Sequence, residues 1–148
     1  MSANAISVEQ KQIGKYVVNG VLSGIVGGVV FGMMIAMMGM LPMVAALVGS
    51  QSAVVGVLVH MVISAAIGFA YGLVVSFMNV KFSLGFAILS GMMNGVVWWV
   101  LGALILMPLG LGMMEMVLKV GTDQWFSLMG HVIYGVVAAL VFRALIKK

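Results

Sequence analysis

Residues 17–40 read VVNGVLSGIVGGVVFGMMIAMMGM, and none of them carries a charge. About 20 apolar residues in a helix cross the hydrocarbon core of a bilayer, so this stretch predicts a membrane span. Working outward, three more segments of the same kind follow, at about 53–76, 82–106 and 125–146. Of the 148 residues, 64% are hydrophobic and only 7% are charged. A soluble domain carries far more charge on its surface. The expected fold is all-α: a polytopic membrane four-helix bundle. It is made of two tandem helical hairpins, 17–76 and 82–148, behind a polar arm at 1–16.

The first apolar run is too long for the core of a cleavable signal, and no small-residue cleavage site follows it. The net charge of +4 is not a nucleic-acid signal, because the basic residues sit at span edges. Lys11, Lys15, Lys81, Arg143, Lys147 and Lys148 share one side, with Glu9 as the one acid. Lys119 faces Glu115 and Asp123 on the other. The positive-inside rule then puts both termini in the cytoplasm.

Residues 22–30 read LSGIVGGVV and residues 89–97 read LSGMMNGVV, so both fit LSGxxxGVV. Downstream, Pro42 answers Pro108 and His60 answers His131. The spacing is 67 residues at the motif, 66 at the prolines and 71 at the histidines. Three matches in order predict an internal duplication. Each two-helix unit returns the chain to its starting side, so the halves are expected about a pseudo-two-fold axis along the membrane normal. The histidines then lie at equal depth, near the outer surface.

Both outer connections contain a proline, in LPMVAALVG (41–49) and MPLGLGMMEMVLKV (107–120). Each proline is expected to stop the helix before it, with a short interfacial segment after it. Glu115 and Lys119, four apart, suit one face of such a segment.

Lipid removes most of the hydrophobic drive between helices, so close backbone packing has to hold them together. Gly20, Gly24, Gly28 and Gly32 recur every fourth residue in span one. Span two offers Ser64, Gly68 and Gly72; span three offers Ala87, Gly91 and Gly95. These rows are read as helix-packing seams within the bundle, or alternatively as a homodimer or subunit seam.

The spans hold no charged side chain until Arg143, and the chain has no cysteine. With no nucleophile–base–acid set and no phosphate-binding loop, no enzyme is expected. His60 and His131 remain. A histidine in a lipid-embedded helix needs a partner, either a carbonyl or hydroxyl of a neighbour or a bound group. As a pair they are candidate ligands for haem, a chlorin or a metal. Most of the 16 methionines fall in the outer half. Thioethers with imidazole suit copper(I), and Met61 and Met129 adjoin the histidines. Met33, Met37 and Met40 share a helix face. Otherwise methionine serves as adaptable apolar filling. Asn94 is expected to bond to a neighbouring helix. Trp98 and Trp99 lie inside span three; Trp125 and Tyr16 mark interfaces.

The order VHMVIS (59–64), a turn with Lys81, LSGMMNGVVWW, LILMPLG (104–110), LMGHVIYG (128–135) and a basic tail resembles the YagU-like bacterial inner-membrane proteins, a family of unassigned molecular function. The resemblance implies a histidine early in the second helix of each hairpin, at His60 and His131. This chain lacks that family's longer polar outer loops. The leading expectation is a non-enzymatic membrane protein acting through assembly, as a homo-oligomer or as an accessory subunit among other membrane proteins. The alternatives are a cofactor or metal protein using His60 and His131, and a small transporter or channel.

Overall fold

A computed structural model describes residues 3–78 and 80–147, with side chains from residue 12 onward. The charges assigned to the cytoplasmic side at Glu9, Lys11 and Lys148 lie outside the described side chains. Helix dominates and no strand occurs among the described residues. Helix α1 runs Ala3–Met37, α2 Leu41–Ala46 and α3 Ala53–Ser76. Helix α4, Leu84–Trp98, runs into a π-helical stretch at Trp99–Leu106 and then α5, Met107–Gly110. Helix α6 is Thr122–Ile146.

Four stretches are long and apolar enough to cross a membrane: Gln12–Met37, Ala53–Ser76, Leu84–Gly110 and Thr122–Ile146. Large apolar side chains also cover their outside, with Val54 and Val62 on α3 each 70% exposed. A water-soluble monomer does not carry continuous apolar surface of that extent. The chain is an all-α, multi-pass membrane protein.

The polar arm is not a separate element, because α1 begins at Ala3 and runs straight into the first span. Nor does proline end either hairpin's first helix. Gly39, at φ +68°, stops α1. Its N–H donates to Ala36 O at 3.0 Å, and Met40 N–H donates to Ile35 O at 2.9 Å, the paired bonds of a Schellman cap. Pro42 comes afterwards, in the first turn of α2, where its missing N–H costs nothing.

Pro108 lies inside the third span, which continues to Gly110. Proline there leaves the carbonyl four residues back, that of Leu104, without its helical donor. The π-helical stretch leads into this site, and the N–H of Leu118, from the returning loop, donates to Leu104 O at 2.9 Å. Leu118 reaches it with φ +58°, the one non-glycine residue with positive φ among those described. The segment after Pro108 is therefore not an amphipathic helix presenting Glu115 and Lys119. Only Met114–Met116 form a single 3-10 turn.

Helix α1 packs on α3 and on α6, and α4 packs on α6. The glycine rows make these contacts possible. A Cβ placed at Gly24 would stand 2.8 Å from Gly68 Cα, and one at Gly20 would stand 2.9 Å from Gly72 Cα. A Cβ at Gly91 would stand 2.9 Å from Ala139 Cβ, and one at Gly95 2.8 Å from Val132 Cα. Both rows are thus filled by helices of the same chain.

The two ends of the bundle differ. At the end holding the termini, Phe142 of α6 is fully buried. Three rings meet it edge-on: Tyr16 of α1 at 5.7 Å, Tyr71 of α3 at 5.5 Å and Phe82, just before α4, at 5.4 Å. The Tyr71 hydroxyl also shares a 2.8 Å hydrogen bond with Ser90 of α4. At the other end, α3 and the π-helical stretch both line a cavity.

Candidate functional site

The cavity holds about 260 Å³ and lies at the α2 end of the bundle. Helices α1, α2, α3 and α6 and the π-helical stretch all contribute to its wall. Its lining is apolar apart from a few groups, and those include both histidines, Ser127 and Tyr134.

The structure brings His60 and His131 to this one cavity, but gives them different settings. His60 is buried, and its Nε2 lies 2.8 Å from the carbonyl oxygen of Gly28 on α1. A carbonyl only accepts, so Nε2 carries the proton and donates. Nδ1 is left with its lone pair. In His131 the roles reverse. Its Nδ1 donates to Ser127 O, one turn earlier in α6, at 2.8 Å. That leaves the lone pair on Nε2.

Phe31 of α1 meets both imidazoles edge-on, with ring centroids 5.6 Å from His60 and 4.8 Å from His131. Its position is fixed from below by Gly130, where a Cβ would come within 2.7 Å of Phe31 Cδ2.

Tyr134 closes the floor. It is 2% exposed, and its hydroxyl donates to Ser64 O of α3 at 2.8 Å. Above it, Trp98 faces the cavity, while Trp99 turns away to donate from Nε1 to Gln124 O at 3.0 Å and to stack on Trp125 at 6.2 Å.

The methionines divide differently from the sequence expectation. Successive helical residues point about 100° apart, so adjacency to a histidine in sequence is not adjacency in space. Met61 lies beside Gly28, where a Cβ would be 3.7 Å from its Sδ. Met129 is 49% exposed on the outside of α6. Neither lines the cavity. The α1 face bearing Met33 and Met37 points outward as well, with Met37 82% exposed. The cavity is lined instead by Met34, Met38, Met40, Met43 and Met107. The i,i+4 pair of Met34 and Met38, in phase with Phe31, is the sequence signal that marks this face.

The glycine sites behave as packing positions. Gly32 packs on a cavity side chain, since a Cβ there would lie 3.2 Å from the His60 ring. Asn94 is half-buried in α4 and enters no side-chain hydrogen bond among the described residues. No cluster of three His, Cys, Asp or Glu side chains occurs among them either. Comparison with family models, with characterised proteins and with solved structures returns no match.

Proposed function

We propose that this chain is a non-enzymatic binding protein of the bacterial inner membrane, with both termini in the cytoplasm, that takes a small guest into the cavity between its hairpins. The observation that carries the reading is the convergence of two imidazoles and five thioethers on one cavity at the end away from the termini. The charge pattern supports the orientation: Lys15, Lys81, Arg143 and Lys147 share the terminal end. With that orientation the cavity belongs to the outer half of the membrane.

The repeated glycine contacts support reading the hairpins as copies. Gly24 opposes Ser64 and Gly68, and Gly91 opposes Gly135 and Ala139, in the same register. The two prolines do not share a role, so any duplication has diverged most in the outer connections. The proposed kinship with the YagU-like proteins rests on VHMVIS, the turn with Lys81, LSGMMNGVVWW, LILMPLG and LMGHVIYG.

An accessory-subunit role is the second reading. It is favoured by the asymmetry of the bundle: α1 packs on α6, while their counterparts α4 and α3 flank a cavity at one end. A helix of another membrane protein would complete that face. The glycine rows do not serve this purpose, because both are occupied within the chain.

The chain has no cysteine, so single cysteines report cleanly. In right-side-out vesicles, Met43→Cys at the cavity should react with a membrane-impermeant maleimide, and Val62→Cys on the outer face of α3 should not. Labelling of Met43→Cys only from the cytoplasmic side would overturn the orientation. No labelling from either side would overturn entry of a guest from water.

A further inference from the structure

We infer that the guest is a soft monovalent metal cation of the copper(I)/silver(I) class, bound by thioethers of the cavity with His60 or His131. The inference rests on reading the cavity as a guest site and adds the chemistry of the guest.

Three observations converge. First, Met34, Met38, Met40, Met43 and Met107 come from three separate elements, α1, α2 and the start of α5, together with the turn between α1 and α2. Filling a single gap does not require thioethers from so many directions. Thioether sulfur is a poor donor for zinc, magnesium or calcium and a good one for copper(I). Carboxylates, the ligands hard cations need, are missing from this cavity's lining.

Second, each histidine donates one ring N–H to a main-chain carbonyl, Gly28 O for His60 and Ser127 O for His131. Histidines that ligate metals are commonly held this way. The carbonyl fixes the tautomer and directs the lone pair of the other nitrogen to the metal. A guest that needed hydrogen-bond donors from the imidazoles would find these protons already engaged. Each neutral ring keeps one lone pair as a donor for a cation, on Nδ1 of His60 and on Nε2 of His131.

Third, Met38 and Met43 are 44% and 38% exposed, while His60 is buried. The cavity lining thus runs from part-exposed thioethers to a buried imidazole. The binding itself transfers no electron, and a thioether or a neutral imidazole that ligates the ion releases no proton.

The test uses the purified full-length chain in detergent, with silver(I) as the probe in chloride-free buffer. Bound metal is counted after equilibrium dialysis, and methionine methyl resonances are followed by NMR. The expected result is one silver ion per chain, with affinity reduced about tenfold or more in Met38→Leu/Met43→Leu and in at least one of His60→Gln and His131→Gln. Zinc(II) should not be retained. Leucine conserves the volume of methionine, so the double variant should melt like the parent. If the histidine variants fail to fold, the methionine pair carries the test. Absence of retained silver, or equal retention by the folded methionine variant, would overturn the inference. If Met43→Cys is still labelled from outside in that event, the cavity remains a guest site for something other than a soft cation. If it is not labelled, both readings fall together.

Discussion

The hydroxyl of Tyr134 donates to the main-chain oxygen of Ser64 across 2.8 Å, joining α6 of the second hairpin to α3 of the first beneath the cavity. Both residues are almost completely buried. In a membrane, interhelical hydrogen bonds of this kind contribute about 0.6 kcal/mol on average and at most about 1.7. Tyr134→Phe should therefore lower stability by about 0.5–1.5 kcal/mol, seen as a modest fall in the detergent melting temperature. A fall no larger than that of an outward-facing control such as Leu140→Ile would mean the bond contributes nothing.

Glycine positions should split sharply by what faces them. Gly24→Ala puts a methyl 2.8 Å from Gly68 Cα, backbone that cannot move aside without parting α1 from α3. Overpacking of this kind costs about 1–3 kcal/mol. Gly85→Ala, in the first turn of α4, meets nothing within 4 Å. There the gain in helix propensity, up to about 1 kcal/mol, should dominate. Opposite signs in thermal denaturation check the pair.

Phe142 should be the most sensitive aromatic position. It is fully buried, and rings from α1, α3 and the connection before α4 meet it. Phe142→Ala should cost about 3–5 kcal/mol. Phe126→Ala, whose side chain is 52% exposed, should cost far less. Comparable losses in unfolding experiments would show that the terminal end is not the core that holds the spans together.

Leu118 should tolerate glycine and reject proline. Its positive φ of 58° strains a leucine by roughly 1–2 kcal/mol, which Leu118→Gly relieves while keeping the N–H that serves Leu104 O. Leu118→Pro loses both the donor and the φ angle. Hydrogen exchange at the end of the third span should be unchanged in the glycine variant and faster in the proline variant.

Much of this fold is legible in the sequence, because its periodicities are strong. Uncharged runs of span length give the four helices. Small residues every fourth position give the seams, and Gly24 meets Gly68 as those rows suggest. What sequence does not reveal depends on contacts between distant residues. Pro108 reads as a stop signal, yet the span continues because Leu118, across a loop, supplies the donor that Leu104 O lacks. The methionines at the end of α1 and in the turn after it lie on several faces, and choosing Met34 and Met38 over Met33 and Met37 requires knowing where α3 and α6 sit. The equivalence of His60 and His131 reads well from spacing. It breaks at the hydrogen bond, since one ring reaches across to Gly28 and the other back to its own helix.

That difference gives the most direct test of the site. The chain holds two histidines, so nitrogen-15 NMR of histidine-labelled protein in a bilayer shows two imidazoles and nothing else. The arrangement predicts two neutral rings of opposite tautomer: Nε2–H for His60, Nδ1–H for His131, each assigned from the spectrum of the other's replacement. Silver(I) should then shift the unprotonated nitrogen of at least one ring. Two rings of the same tautomer, or two rings exchanging freely with water, would contradict the account of a cavity that holds its imidazoles ready for a cation.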